Sequence, residues 1–330
     1  MIRAALLIAA TLTTAQQPTI RSTTTLVQVH VVATDSSGNA VRDLQESDFE
    51  LRDNGKVQPI NLFVAERGDG TANAAAAPEP GHAVIVLDWL NTKYVYQLFA
   101  RDNAIKLLKN YEPHQKIAIY LLNEDPGMIV PFTDDRDELL EVLSRVELLP
   151  DPPPHRPLAE ELFQMDLKIR DTASALRRLA SDLAHLPGRK AVLWVTAGFP
   201  VTVNGSVVRG ARPSEYFYGA ELMQVLNGLN TGDTAVYAID SCGLSAKDCR
   251  SFDDSMYELA RRTGGTVFAA RNDLDTGMRM ALEDLSVSYT LGFHQPEDAV
   301  AGPHALQVKV GRPGIKLRYR ETYQANPVRP

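Results

Sequence analysis

The 330-residue chain is 44% apolar and 23% charged, has 20 prolines and carries a formal net charge of −7. Its acidic and basic residues are mixed along the sequence without a basic block. Binding to phosphate backbones needs clustered Lys and Arg, so this balance argues against nucleic acid as a partner.

The first residues form a unit of their own. Met1-Ile-Arg3 is a short positive start, Ala4 to Leu12 is apolar and uncharged, and Thr13-Thr-Ala15 offers small residues to a signal peptidase. Such a run is too short to span a bilayer, which takes about 18 apolar residues, and it suits a secretory signal. The expectation is a signal peptide over residues 1–15 and a mature protein outside the cytoplasm, periplasmic or secreted. No cysteine follows the run, so a lipid anchor is not indicated, and no later segment has the composition of a membrane helix.

Past residue 15 the chain changes rhythm twice. Leu26 to Ala33, Asp48 to Arg52 and Ile60 to Val64 alternate apolar and polar residues, as half-buried strands do, with the turn clusters Asp35 to Asn39 and Asp53-Asn-Gly55 between them. Residues 68–80 form a Gly/Ala/Pro linker without periodicity. From Gly81 onward, continuous apolar runs replace the alternation: Ala83 to Leu87, Ile117 to Leu122, Ala191 to Val195, Ala235 to Ile239 and Thr266 to Ala269. They are separated by helical stripes such as Leu139, Val142, Leu143, Val146 and Leu176, Leu179, Ala180, Leu183, Leu186. Buried strands alternating with amphipathic helices predict a doubly wound, mostly parallel α/β sheet over residues 81–286. Beyond it, Tyr289 to Phe293, Ala305 to Val310 and Lys316 to Arg320 return to the strand period. The β segments 16–67 and 287–330 are each small for an independent core. They are expected to pair into one sandwich, with the α/β domain inserted between them.

In sheets of this kind ligands bind at the carboxyl ends of the strands. The residues at those ends are Asp88-Trp-Leu-Asn-Thr92, Asn123-Glu-Asp125, Thr196-Ala-Gly198 and Asp240. Asp88-x-x-x-Thr92, Phe132-Thr-Asp134 and Thr263-Gly-Gly-Thr266 together resemble a von Willebrand factor A domain. The front motif from Val41 to Gly55, Leu186-Pro-Gly-Arg-Lys190, Trp194-Val-Thr-Ala-Gly-Phe-Pro200 and Tyr237-Ala-Ile-Asp240 add to this, and resemble the exported VWFA-related family best known from Acidobacteria. The resemblance covers nearly the whole mature chain and implies a module that binds a protein partner. It also implies a divalent cation, Mg²⁺ or another, held by Asp-x-Ser-x-Ser, a threonine and a second aspartate.

The sequence departs from that ligand set. Leu90 stands at the middle serine and Ala197 at the second aspartate, while Thr92 can serve for the last serine and Thr172 for the loop threonine. The metal-ligand set that remains is Asp88, Thr92 and Asp240, implying at most weak binding at a rebuilt site. The competing reading is that Asp88 and Asp240 bond neighbouring loop amides. The partner surface is expected on the strand-end face, at Asp88, Trp89, Asn91, Thr92, Thr196, Phe199 and Asp240. Trp89, Tyr94, Tyr96 and Phe99 follow the first strand, and Tyr216-Phe-Tyr218 precedes a later helix. These aromatics are either contact anchors or loop packing.

Cys242 and Cys249 share one polar loop, and export places them where a disulfide forms. A local disulfide is expected, with two free thiols as the alternative. A zinc site wants about four N or S ligands, and no histidine lies nearby. Nucleotide cradles and the Gly-x-Ser-x-Gly elbow are absent from the sequence, so no enzyme is expected. The alternatives are a metal-free structural or envelope assembly role through the β unit and, less favoured, a metal-assisted hydrolase using Asp88 and Asp240.

Overall fold

The structure, a computed structural model, describes residues 25–67, 81–112, 115–153, 157–199, 219–244, 254–296 and 298–325. The signal segment, the linker at 68–80, Tyr216 to Tyr218 and Cys249 lie outside the described residues, and with Cys249 so does the expected disulfide. In chain order the strands and helices are β1 (Leu26–Thr34), β2 (Phe49–Asp53), β3 (Lys56–Gln58), β4 (Leu62–Arg67), β5 (His82–Asp88), α1 (Tyr94–Asn110), β6 (Lys116–Leu122), β7 (Gly127–Thr133), α2 (Arg136–Arg145) and α3 (Leu158–Ala184). They continue with β8 (Lys190–Thr196), α4 (Gly219–Thr231), β9 (Thr234–Asp240), α5 (Asp254–Thr263), β10 (Val267–Phe268), α6 (Leu274–Ser286), β11 (Val287–His294), β12 (Gly302–Val310), β13 (Lys316–Arg318) and β14 (Thr322–Ala325).

A six-stranded sheet has the order β10-β9-β8-β5-β6-β7 and is parallel except for the edge strand β7. β5, β8 and β9 are buried at every position, which is why they read as unbroken apolar runs. One face packs against α1, α2 and α6, through residues such as Ile85, Leu108, Leu139 and Met278. The other packs against α3, α4 and α5, through Val86, Trp194, Leu176, Leu226 and Leu259. Helices on both faces of a mostly parallel sheet make the doubly wound α/β layer arrangement expected from the sequence.

The remaining strands form two antiparallel sheets, β13-β1-β11-β4 and β14-β12-β2-β3. Each sheet takes strands from both ends of the chain. Val29, Val31, Leu51, Leu291, Phe293 and Val308 share one core, so the two sheets close into a single sandwich.

The sandwich sits against the amino ends of the parallel strands. His30 on β1 meets Asp233, the residue before β9, at 2.6 Å. Arg320 donates to the Asn230 carbonyl at 2.6 Å and also to the Gln28 carbonyl. Arg318 donates to Asp284, near the end of α6, at 2.9 Å. Burial pushes the Asp233 carboxyl up, but the charge of His30 and its hydrogen bond, with the charges of Arg320 and Arg189, hold it well below the ordinary carboxylate range. A folded-state value below the unfolded one stabilises the fold above the unfolded value, and that contribution is lost as pH falls toward the folded value. Asp233→Asn is therefore expected to destabilise at neutral pH and to flatten the acid limb of a plot of urea midpoint against pH. Superimposable curves for the two proteins would mean that this ion pair does not hold the sandwich to the sheet.

Candidate functional site

With the sandwich at one end, the carboxyl ends of the strands face away from it. Strand order reverses between β5 and β8, and Asp88 and Thr196 close those two strands at that point. Asp88 is fully buried. Its carboxylate accepts from the Asn91 backbone N–H at 3.0 Å, the Asn91 side-chain amide at 3.0 and 3.1 Å, the Trp194 indole at 3.1 Å and the Thr196 hydroxyl at 2.7 Å. Burial pushes the carboxyl up, and these neutral donors counter it only in part.

The other candidate residues are also bonded within the protein. The Asn91 amide nitrogen donates to the Thr172 hydroxyl at 2.9 Å, so Thr172 is brought to Asp88 although it lies in the middle of α3 rather than in a loop. The Thr92 hydroxyl accepts from the Ala197 N–H at 3.1 Å, and the Thr92 carbonyl accepts from Gln97 at 2.7 Å. Asp240 lies beside Thr196 in the ladder, but its carboxylate accepts from the Cys242 N–H at 2.9 Å, and burial pushes it up. Among the described residues no hydrogen bond joins Asp240 to Asp88 or Thr92. The loop-amide reading describes Asp240 directly, and Asp88 follows it with an added set of side-chain donors.

The donor set does not fit the divalent cation that the resemblance implies. Mg²⁺ takes about six oxygens at roughly 2.0–2.1 Å. Here Leu90 packs against the apolar face formed by α3, α4 and α5, and Ala197 packs beside Cys242. Among the described residues no second carboxylate bonds into this shell, and the Asp88 oxygens already accept from Asn91, Trp194 and Thr196. Among the described residues no group of three or more His, Cys, Asp and Glu side chains is placed to hold a metal ion.

The expected contact aromatics divide. Trp89 is buried, and its indole donates to the Glu147 carbonyl at 3.0 Å. Phe199 is buried against Trp194, with ring centroids 5.9 Å apart. For these two, loop packing is what the structure shows. Tyr94, at the start of α1, is 47% exposed.

The sequence reading missed a second set of residues at this end. The 27 residues of α3 span about 40 Å, whereas a seven-residue strand covers about 23 Å. Its last turn leads into β8 at the amino end of the sheet, and Thr172 marks the level of Asp88. The first turns of α3 therefore project beyond the level of Asp88, while Ile169 and Met165 still pack against the core. Leu158, Leu162, Phe163 and Leu167 on this projection are exposed, Phe163 at 58%. On the opposite layer, Val95 and Leu98 of α1 are exposed beside Tyr94. The spacing of Leu158, Leu162 and Leu167 is the signal that could have revealed the longer helix.

No family model matches the sequence, and no curated protein does. Among solved structures, similarity is found to an aerotolerance-related membrane protein from Bacteroides fragilis, at 13% identity and a TM-score of 0.39, covering 62% of this chain and 98% of that one. A conserved hypothetical protein BatB from Bacteroides thetaiotaomicron matches at 12% identity and a TM-score of 0.36, with the same coverage of 62% and 98%. The PilB minor pilin from Streptococcus sanguinis matches at 12% identity and a TM-score of 0.36, covering 65% of this chain and 63% of that one. Likenesses of this degree leave the reading of the site to its own geometry.

Proposed function

We propose that the chain is an exported module that binds a protein partner through the strand-end face and carries no catalytic activity of its own. The observation that supports this reading most is the exposed apolar projection of α3, with Tyr94 and Val95 on the opposite layer, at the end of the sheet that the sandwich leaves open. Soluble proteins seldom leave such a run of large apolar side chains uncovered without a use for it. Aromatic anchors with apolar neighbours are the usual centre of a binding surface. The buried residues Asp88, Trp89, Thr196 and Phe199 support that surface from beneath. Export rests on the signal-like segment. Among the described residues no helix is long and apolar enough to cross a membrane.

The test is capture of a partner from an envelope extract on immobilised mature protein, followed by affinity measurement with the recovered partner. Phe163→Asp and Leu162→Asp are expected to weaken binding by about tenfold or more, the scale of an interface hot spot, while leaving the unfolding midpoint in place. Val57→Asp, on the exposed sandwich strand β3, is expected to bind like the parent. The reverse pattern would sink the strand-end reading and favour an assembly role through the β unit.

A further inference from the structure

We infer that the Asn91 side-chain amide is a built-in substitute for the metal ion at the head of this sheet, and that the site is locked in a metal-free state. The inference is independent of the partner reading, because it concerns what holds the strand ends together.

Its basis is the position of one nitrogen. Asn91 Nδ2 lies 3.1 and 3.0 Å from the two carboxylate oxygens of Asp88 and 2.9 Å from the hydroxyl of Thr172. Asp88 is the residue that the resemblance places at the first aspartate of a cation site, and Thr172 offers its hydroxyl where the threonine would stand, from the middle of a helix and not from a loop. A side-chain amide has two hydrogens. One is directed at the carboxylate and one at the hydroxyl, so both are used. The nitrogen thus links the strand β5 to the helix α3 across 81 residues of sequence, the connection a shared ligand would otherwise make. The distances are those of N–H···O bonds, about 2.9–3.0 Å, and leave no room for an ion that wants oxygens at roughly 2.1 Å.

The rest of the site matches an amide and not an ion. One carboxylate holds a dication only weakly, and the two positions that would complete the set hold Leu90 and Ala197, so without the amide the site would take an ion at low affinity and with it none. A neutral amide needs no further carboxylate. The Ala197 N–H is free to bond the Thr92 hydroxyl, and Thr196 and Trp194 complete the shell of Asp88. Asn91 itself is half-buried above the fully buried Asp88 and Thr172, so its side chain also stands between them and solvent. For a cation to enter, this side chain must swing out and give up its contacts with both.

The experiment is a Mn²⁺ titration followed by the electron paramagnetic resonance signal of the free ion, on the whole mature protein, with thermal unfolding in Mn²⁺ and in EDTA alongside. The parent protein is expected to leave millimolar Mn²⁺ free and to unfold at the same temperature in both. Asn91→Ser and Asn91→Ala remove the amide and are expected to bind Mn²⁺ with a Kd about tenfold or more below that of the parent. Adding Asp88→Asn to either is expected to abolish the gain. Parent protein that binds Mn²⁺ tightly, and loses it with Asp88→Asn, overturns the inference. So do folded Asn91 variants that bind Mn²⁺ no better than the parent. If both variants fail to fold, the parent titration decides alone: binding rejects the lock and its absence supports it.

Discussion

Asp88→Ala is expected to lower the unfolding free energy by about 4 kcal/mol, because it strands several buried donors at once. The Asn91 backbone N–H, the Asn91 amide, the Trp194 indole and the Thr196 hydroxyl all point at this carboxylate. Each buried donor left without an acceptor costs about 1–3 kcal/mol, reduced where the group can turn toward another. The Thr196 hydroxyl has such an outlet, since it lies 3.4 Å from the Gly198 carbonyl. The indole is fixed within its strand and has none of that freedom. Asp88→Asn should be milder, at about 1–2 kcal/mol. It removes the unfavourable burial of a charge, which the raised carboxyl pKa reports, but turns an NH₂ group toward one of the existing donors. Urea denaturation of the parent and both variants is the measurement. Equal and small losses, below about 1 kcal/mol for each, would mean that water replaces the carboxylate and that the site is open to solvent.

The fold was legible where one physical signal dominated a segment. β5 and β9 read as buried strands because no position in them faces water, and β12 read as half-buried because every second residue does. The sandwich was legible from size alone, since neither flanking β segment has enough apolar surface to fold by itself. Leu90 and Ala197 announced a departure from the cation site because neither can offer a side-chain oxygen. What replaced the ion was not legible. An Asn shortly after a strand reads as a turn residue, and the bond from Asn91 to Thr172 depends on a packing that no local pattern encodes. The first part of α3 escaped for another reason. Glu160, Glu161, Asp166, Lys168 and Arg170 dilute its apolar stripe, and the prolines before it suggest a break, although Pro157 in fact sits at the N-cap. Trp89 offered even choices in sequence. In the structure it joins the apolar core, and its indole finds the carbonyl of Glu147 in the segment after α2.

The second large effect is expected at Gly265, where alanine should leave little or no protein with a cooperative unfolding transition. Thr263-Gly-Gly-Thr266 reads in sequence as a helix stop, and Gly264 does end α5 with a φ of +79°. Gly265 has a different task. Its N–H bonds the Ala260 carbonyl at 2.9 Å, and the chain then passes directly over β9, where the Thr263 hydroxyl accepts from the Val236 N–H at 2.9 Å. A Cβ at position 265 would lie 2.6 Å from the carbonyl carbon of Val236 and closer still to its oxygen. Val236 pairs with Val192 inside the parallel sheet, so its backbone has no direction in which to yield without opening the ladder. The cost should exceed about 4 kcal/mol, the range in which single substitutions unfold marginal domains. Gly264→Ala should cost less. Left-handed backbone takes about 1–2 kcal/mol from alanine, and its Cβ would meet Arg320 and Tyr319 at 2.8 Å, loosening the sandwich from the sheet and not the sheet itself. Gly55→Asn is the control, since that turn has a φ of +81° and open space around it, and a change within about 0.5 kcal/mol is expected. Soluble yield and urea midpoints of the three variants separate these cases. A Gly265→Ala protein that unfolds within about 1 kcal/mol of the parent would show that α5 does not press on β9 at this point, and that the second glycine only ends the helix.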